Sequence, residues 1–214
     1  MTTRSILIIG GNRGIGIGLV RRYLANGWTV HATTRSPDAA DPLEALDGPL
    51  LVHQFDVRDE TSDLIDAVGP LDVLIHNAGV GRGTPRDLMM AVNAEAPIRV
   101  VQSFLDAGAL NTGGKIAIMT SQLGARRGSS ESLGDYGDSK AALNDEFRNR
   151  SAEWAERGVI AVVVHPGWVR TDMGGDSAPL SIEESADGIA RLMADLTPEQ
   201  HGRFWTWDGR EHDW

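Results

Sequence analysis

The 214-residue chain contains no cysteine. That excludes disulfides, thiolate zinc sites and cysteine nucleophiles, and it fits a reducing compartment. Basic residues are also short: 20 Lys and Arg stand against 30 Asp and Glu, a formal net charge of −10. Such a surface repels phosphate backbones, so nucleic acid is not an expected partner. Long apolar runs are missing near the N-terminus, where Ile6–Ile9 ends at glycines. That run is too short for a signal-peptide core or a membrane span, so we expect a soluble, cytoplasmic protein without a membrane partner. Repeats, low-complexity tracts and linkers are absent as well. The length suits one large domain, here 1–214, and 41% hydrophobic residues suffice for a substantial core.

Short apolar runs alternate with longer amphipathic stretches. Strands are predicted at Ser5–Ile9, Thr29–Thr34, Leu50–Phe55, Val73–His76, Lys115–Thr120, Ile160–His165 and Arg203–Trp207. Helices are predicted at Ile15–Asn26, Pro42–Leu46, Glu60–Val68, Pro85–Leu110, Tyr136–Arg157 and Ile182–Leu196. Val- and Ile-rich strands without polar alternation belong where both sheet faces are covered. The expected fold is α/β: a single-domain, Rossmann-type, doubly wound parallel sheet of about seven strands with helices on both faces. The irregular segments Thr34–Asp41, Leu123–Gly134 and Gly174–Ser181 follow strands or flank the Tyr136 helix. Ligands in such sheets sit at the carboxyl ends of strands.

Two motifs carry chemistry. Gly10-Gly11-Asn12-Arg13-Gly14-Ile15-Gly16 follows the first strand and opens a helix. Gly10 permits a tight turn, Gly14 lets backbone approach a pyrophosphate, and Gly16 allows close helix–strand packing. The helix N-terminus adds free amides for phosphate. The bland alternative is a glycine turn that merely closes a β-α unit. After the second strand stands Arg35, with no acid until Asp38, and Arg13 lies in the turn itself. Two arginines without an acid favour a 2′-phosphate, hence NADP(H) over NAD(H), although NAD(H) stays open. Asp56 and Val57, after the third strand, are placed at the adenine. The second motif is Tyr136-Gly-Asp-Ser-Lys140, whose ends share a helix face. A nearby ammonium lowers a phenol pKa from roughly 10 toward the working range. Alone, this spacing is common.

In order along the chain, these motifs resemble those of the short-chain dehydrogenase/reductase family, from Ser5 to about Met173. The glycine turn is similar to the family's Thr-Gly-x-x-x-Gly-x-Gly, with Ile9 in place of threonine. Asn77-Ala78-Gly79 resembles Asn-Asn-Ala-Gly, with His76 replacing the first asparagine. Val92-Asn93, Thr120-Ser121 and Pro166-Gly167-Trp168-Val169-Arg170-Thr171 match three further motifs. Within the family the likeness is to small C-factor-like or sniffer-like members, on Pro166–Gly175 and Phe204–Gly209.

The resemblance implies reversible hydride transfer between a nicotinamide and a small carbonyl or alcohol substrate. Tyr136 would give or take the proton, and Lys140 would lower the Tyr136 pKa and hydrogen-bond the nicotinamide ribose. Ser121 would hold the substrate oxygen, and Asn93 a water linking Lys140 to solvent. Thr171 and the Val169 backbone would bind the carboxamide. Ser121 precedes Tyr136 by a little more than the family's usual spacing, which implies an insertion in Gln122–Asp135 and leaves Ser129, Ser130 and Ser132 as alternatives. The bland readings are a buried helix polar for Asn93, a helix cap for Thr171 and an exposed pair for Tyr136 and Lys140. His31, His53, His76 and His165 read as packed or surface groups, with no metal implied. Trp168 walls the cleft or packs, and Trp205, Trp207 and Trp214 seal the last strand. The short substrate loop near 172–182 implies an open cleft. On the helix after Lys140, Asn144, Asp145, Arg148 and Asn149 make the outer face polar, which favours a monomer or weak dimer over a tetramer. The competing reading is a dinucleotide-binding regulatory or signalling protein with incidental turnover. A methyltransferase shares the glycine turn but has no use for Tyr136 and Lys140.

Overall fold

The computed structural model describes residues 4–36, 42–127, 132 and 134–214. Its strands are β1 Ser5–Ile9, β2 Thr29–Thr34, β3 Leu50–Gln54, β4 Leu71–His76, β5 Leu110–Met119, β6 Ile160–His165 and β7 Phe204–Thr206. Its helices are α1 Gly14–Ala25, α2 Ser62–Val68, α3 Arg86–Met90, α4 Ala96–Asp106, α5 Gly134–Glu156 and α6 Ile182–Asp195. The strands form one sheet in the order β3-β2-β1-β4-β5-β6-β7. Every pairing is parallel, as the apolar runs required. The order reverses between β1 and β4, and the crevice at such a switch point is where ligands enter.

Alternate residues of each central strand serve different layers. Leu7 and Ile9 of β1 join Leu74, Ile116, Phe104 and Phe147 in the core beneath α4 and α5. Ile6 and Ile8 join Val30, Val162, Leu19 and Ile189 beneath α1 and α6. This double burial explains why the strand runs lack polar alternation. The edge strand β3 is the exception, with Leu51 and Val52 exposed. Trp205 is buried in the α1/α6 core, and Trp214 packs on Phe147 and Phe204, so both close the β7 end as expected.

Two helix predictions change. Pro42–Leu46 forms turns closed by a Leu46 N–H to Leu43 C=O bond, because five residues before Gly48-Pro49 are too few to sustain a helix nucleus. Pro85–Leu110 is interrupted: a π-helical turn, Ala91–Glu95, separates α3 from α4. The helical stretch stops at Asp106, and Leu110 already belongs to β5.

Candidate active site

The glycine turn is welded to its neighbours. Gly10 has a φ of 78°, the left-handed region that favours glycine. Its N–H donates to Thr33 Oγ1 at 2.9 Å, and Asn77 Nδ2 donates to its carbonyl at 2.8 Å. A Cβ on Gly16 would lie 2.0 Å from the Gly10 carbonyl oxygen, so α1 can start this close to β1 only without a side chain there. Arg13 occupies the position before α1 and makes no side-chain cap, and the first turn of α1 holds no acid. The leading amides of α1 therefore remain available to an anion.

The turn opens into a cleft of about 790 Å³. Of the residues expected at the site, all but Gly16, Asn93, Ser121, Gly167 and Val169 line it. At one end Arg35 is exposed and has no ion pair among the described residues. Arg13 pairs with Asp172 at 2.9 Å, joining the glycine turn to the loop after β6. Both oxygens of Asp56 accept from Arg58, which holds this carboxyl down at about 2.

At the other end lie Tyr136 and Lys140, one turn apart on α5. The Lys140 side chain is wholly enclosed. Its Nζ donates to the Met119 carbonyl at 2.9 Å, and burial pulls its pKa down to about 8. Burial pushes the Tyr136 phenol up, while a hydrogen bond with the Ser121 side chain and the charge of Arg82 pull it back. The groups that lower Tyr136 in the protein alone are thus Ser121 and Arg82, whereas Lys140 directs its ammonium to β5. Ser121 sits at the end of β5, and its Oγ also accepts from the Leu123 amide at 3.1 Å. Ser132 is occupied elsewhere, bonded to Asp138 at 2.8 Å, and Ser129 and Ser130 lie outside the described residues.

Asn93 is fully buried on the π-helical turn. Its Oδ1 accepts from the Val80 N–H at 2.8 Å, and its Nδ2 donates to the Val80 carbonyl at 2.9 Å and to Ser139 Oγ at 3.1 Å. Ser139 in turn donates to the Tyr136 carbonyl at 2.8 Å. Asn93 thus ties the Gly79–Val80 wall to the head of α5. Across the cleft, the Pro166 carbonyl accepts from Ser185 at 2.7 Å, and Val169 bridges Leu180. Thr171 Oγ1 accepts from the Gly174 amide at 3.1 Å, which folds the 172–182 loop back on itself.

Asn144 corrects an expectation. It is buried rather than on the outer face of α5, accepting from Thr120 Oγ1 at 2.6 Å and donating to the Gly124 carbonyl at 3.2 Å. It stands one turn beyond Lys140, and that spacing was the available signal. Asp145, Arg148 and Asn149 are exposed as expected. Sequence reasoning also missed Thr33, Ser139 and Arg82. His31 Nδ1 and His53 Nε2 face each other at 2.9 Å, and His76 is buried with neither ring nitrogen partnered among the described residues.

A glycine turn at the switch point of a parallel sheet, leading to a tyrosine one helical turn from a buried lysine, defines a Rossmann-type dinucleotide-binding protein. The family model for short chain dehydrogenases matches residues 4–179. The chain belongs to that family, a family of oxidoreductases. It is 38% identical over 159 residues to the C-signal protein of Myxococcus xanthus, spanning 68% of this chain and 94% of that protein. A short-chain dehydrogenase/reductase from Burkholderia multivorans with bound NADP superposes with a TM-score of 0.88 at 30% identity, covering 100% of both chains. The carbonyl reductase Sniffer of D. melanogaster gives 0.87 at 28% identity, again over 100% of both. Among the described residues no helix is long and apolar enough to cross a membrane.

Proposed function

We propose that this chain is an NADP(H)-dependent oxidoreductase acting on a carbonyl or alcohol, with Tyr136 as proton donor and acceptor. The observation that carries the reading is that Tyr136 and the buried Lys140, one helical turn apart, line the far end of the cleft that begins at the glycine turn. The cleft fits the cofactor. Free amides open α1, a Cβ would fill the Gly10–Gly16 cradle, and Arg35 is an uncommitted cation at the end of β2. The absence of an acid directly after β2 and the NADP bound to the Burkholderia neighbour both favour NADP(H).

When bound, the nicotinamide supplies or accepts hydride. The protein's own groups handle the proton and the charge. Tyr136 gives its phenol proton to the carbonyl oxygen as that oxygen gains charge, and Ser121 donates to the same oxygen. Ser121 and Arg82 favour the phenolate that remains. Lys140, whose pKa burial pulls down to about 8, would hydrogen-bond the nicotinamide ribose. Thr171 and the Val169 backbone hold the carboxamide. Asn93 positions Val80 and the head of α5. The whole chain forms one domain with its substrate side at the 172–182 loop, and the charged outer face of α5 favours a monomer or weak dimer, which gel filtration at tetramer size would refute.

A regulatory role gains weight from one relative, the C-signal protein. The two readings separate in an assay of NADPH and NADH oxidation over aldehydes, ketones and quinones. Turnover with NADPH preferred supports the enzyme. Cofactor binding without turnover on any of them supports the regulator. Arg35→Ala should raise the NADPH KM about tenfold or more, the scale of one lost charge-assisted phosphate bond, and leave NADH nearly unchanged. Equal use of NADH by the native protein would remove the roles of Arg13 and Arg35.

A further inference from the structure

The loop after β4 carries a cation, Arg82, that has no protein partner among the described residues. Val80 lines the cleft, and Asn93 pins both its N–H and its carbonyl. Arg82 follows two residues later, exposed, on a segment whose backbone is therefore held in place. Among the described residues Arg82 forms no ion pair or hydrogen bond, in a chain where acids outnumber bases 30 to 20. Three acids, Asp135, Asp138 and Asp172, have other partners. Arg86 takes Asp135 at 2.7 Å and Asp138 at 3.5 Å, and Arg13 takes Asp172 at 2.9 Å. The positive charge of Arg82 pulls the Tyr136 pKa partly back from where burial pushes it.

Apolar surface lies beside this cation. Met173 and Trp168 are 53% and 54% exposed, although both are large hydrophobic side chains. The Trp168 indole donates to the Gly174 carbonyl at 2.8 Å, which lays the ring over the turn that carries Met173. Met173 touches the Arg82 loop: a Cβ on Gly81 would lie 3.0 Å from Met173 Cγ. Leu123, two residues after Ser121, is 45% exposed. Exposed apolar side chains on loops that border a cleft are characteristic of a binding surface.

We propose that Arg82 is the carboxylate-binding residue of the substrate site, so that the preferred substrates are carbonyl compounds with an apolar body and an anionic carboxylate. This rests on the oxidoreductase reading above. The guanidinium fork matches a carboxylate in shape and charge and stays ionised throughout the working range. Trp168, Met173 and Leu123 receive the apolar body, while Tyr136 and Ser121 meet the carbonyl. The carboxylate takes no part in the bond changes: hydride goes to the carbonyl carbon and the Tyr136 proton to its oxygen.

The test compares para-carboxybenzaldehyde with its methyl ester under NADPH. In the native protein the acid should be favoured in kcat/KM by roughly tenfold, the scale of one partly exposed charge-assisted hydrogen bond, mostly through KM. Arg82→Gln should bring the ratio close to one, and Arg82→Lys should restore part of it. Using the ratio within each variant cancels any effect of Arg82 on Tyr136 itself. An ester reduced as well as the acid by the native protein, or a preference that survives in Arg82→Gln, would overturn the proposal. Benzoate binding to the NADP+-loaded protein is the second readout and should weaken in Arg82→Gln. Arg82-dependent benzoate binding without turnover of either aldehyde would sink the oxidoreductase reading and sustain the anion site. Benzoate binding indifferent to Arg82 would sink the site.

Discussion

Asn93→Ala is the substitution whose consequences the structure defines most fully. The side chain is fully buried and makes three hydrogen bonds of 2.8, 2.9 and 3.1 Å. Truncation orphans the Val80 N–H, the Val80 carbonyl and one acceptor site on Ser139. An orphaned buried polar group costs about 1–3 kcal/mol. Val80 is only half-buried and can regain water, so the low end applies, and the total is about 3 kcal/mol. For a chain of this size that corresponds to about 6–12 °C in Tm. Urea unfolding with linear extrapolation reads the first quantity and a thermal melt the second. Catalysis should suffer too. The space where a Gly79 side chain would begin lies 3.2 Å from Asn93 Oδ1 and 3.8 Å from Lys140 Nζ, so releasing this wall disturbs the lysine's surroundings. We expect kcat to fall more than KM rises. A stability loss below about 1 kcal/mol, with the Val80 amide still protected from hydrogen exchange, would refute this reasoning.

Further outcomes follow from the same contacts. Gly16→Ala should abolish NADPH binding in calorimetry, because its Cβ would sit 2.0 Å from the Gly10 carbonyl in a turn fixed by Thr33 and Asn77; binding within threefold of native would contradict the cradle. Burial depresses His76 to about 3 and His31 and His165 to about 4. As pH falls below about 6.5 the unfolded chain takes up these protons first, so stability should drop between about pH 6.5 and 4, by up to about 2 kcal/mol per histidine by pH 5. Urea midpoints across that range measure the slope, and His76→Asn should flatten it. Asn144→Leu leaves the Gly124 carbonyl and Thr120 hydroxyl unpaired beside Lys140 and should destabilise by about 2–3 kcal/mol.

The central strands were legible because both faces of the sheet are covered, so each appears as an apolar run with glycines or polar residues at its ends, and the exposed edge strand β3 keeps an apolar Leu50–Val52 run. The glycine turn and the tyrosine–lysine pair were legible because each is local in sequence. The break in Pro85–Leu110 was not. A single π-helical turn alters the helical register without leaving an apolar period of its own, and here it carries Asn93. Asn144 was not legible as an inward residue because it is polar, and it is the Thr120 hydroxyl and the Gly124 carbonyl, distant in sequence, that draw it inward. The Arg13–Asp172 pair joins residues 159 positions apart, and no local pattern reports it. The Lys140 contact with the Met119 carbonyl at 2.9 Å spans 21 positions, and it too leaves no local pattern.

The central claim is that Tyr136 moves the proton in an NADPH-dependent carbonyl reduction. The direct measurement is NADPH oxidation on para-carboxybenzaldehyde by the native protein and by Tyr136→Phe, with the NADPH dissociation constant determined for both. The account predicts a loss of about 10²–10⁴-fold in kcat, the range set by removing a general acid, with NADPH binding unchanged within a few fold. A Tyr136→Phe variant that retains native kcat, or a native protein that binds NADPH and reduces no carbonyl compound, would contradict it.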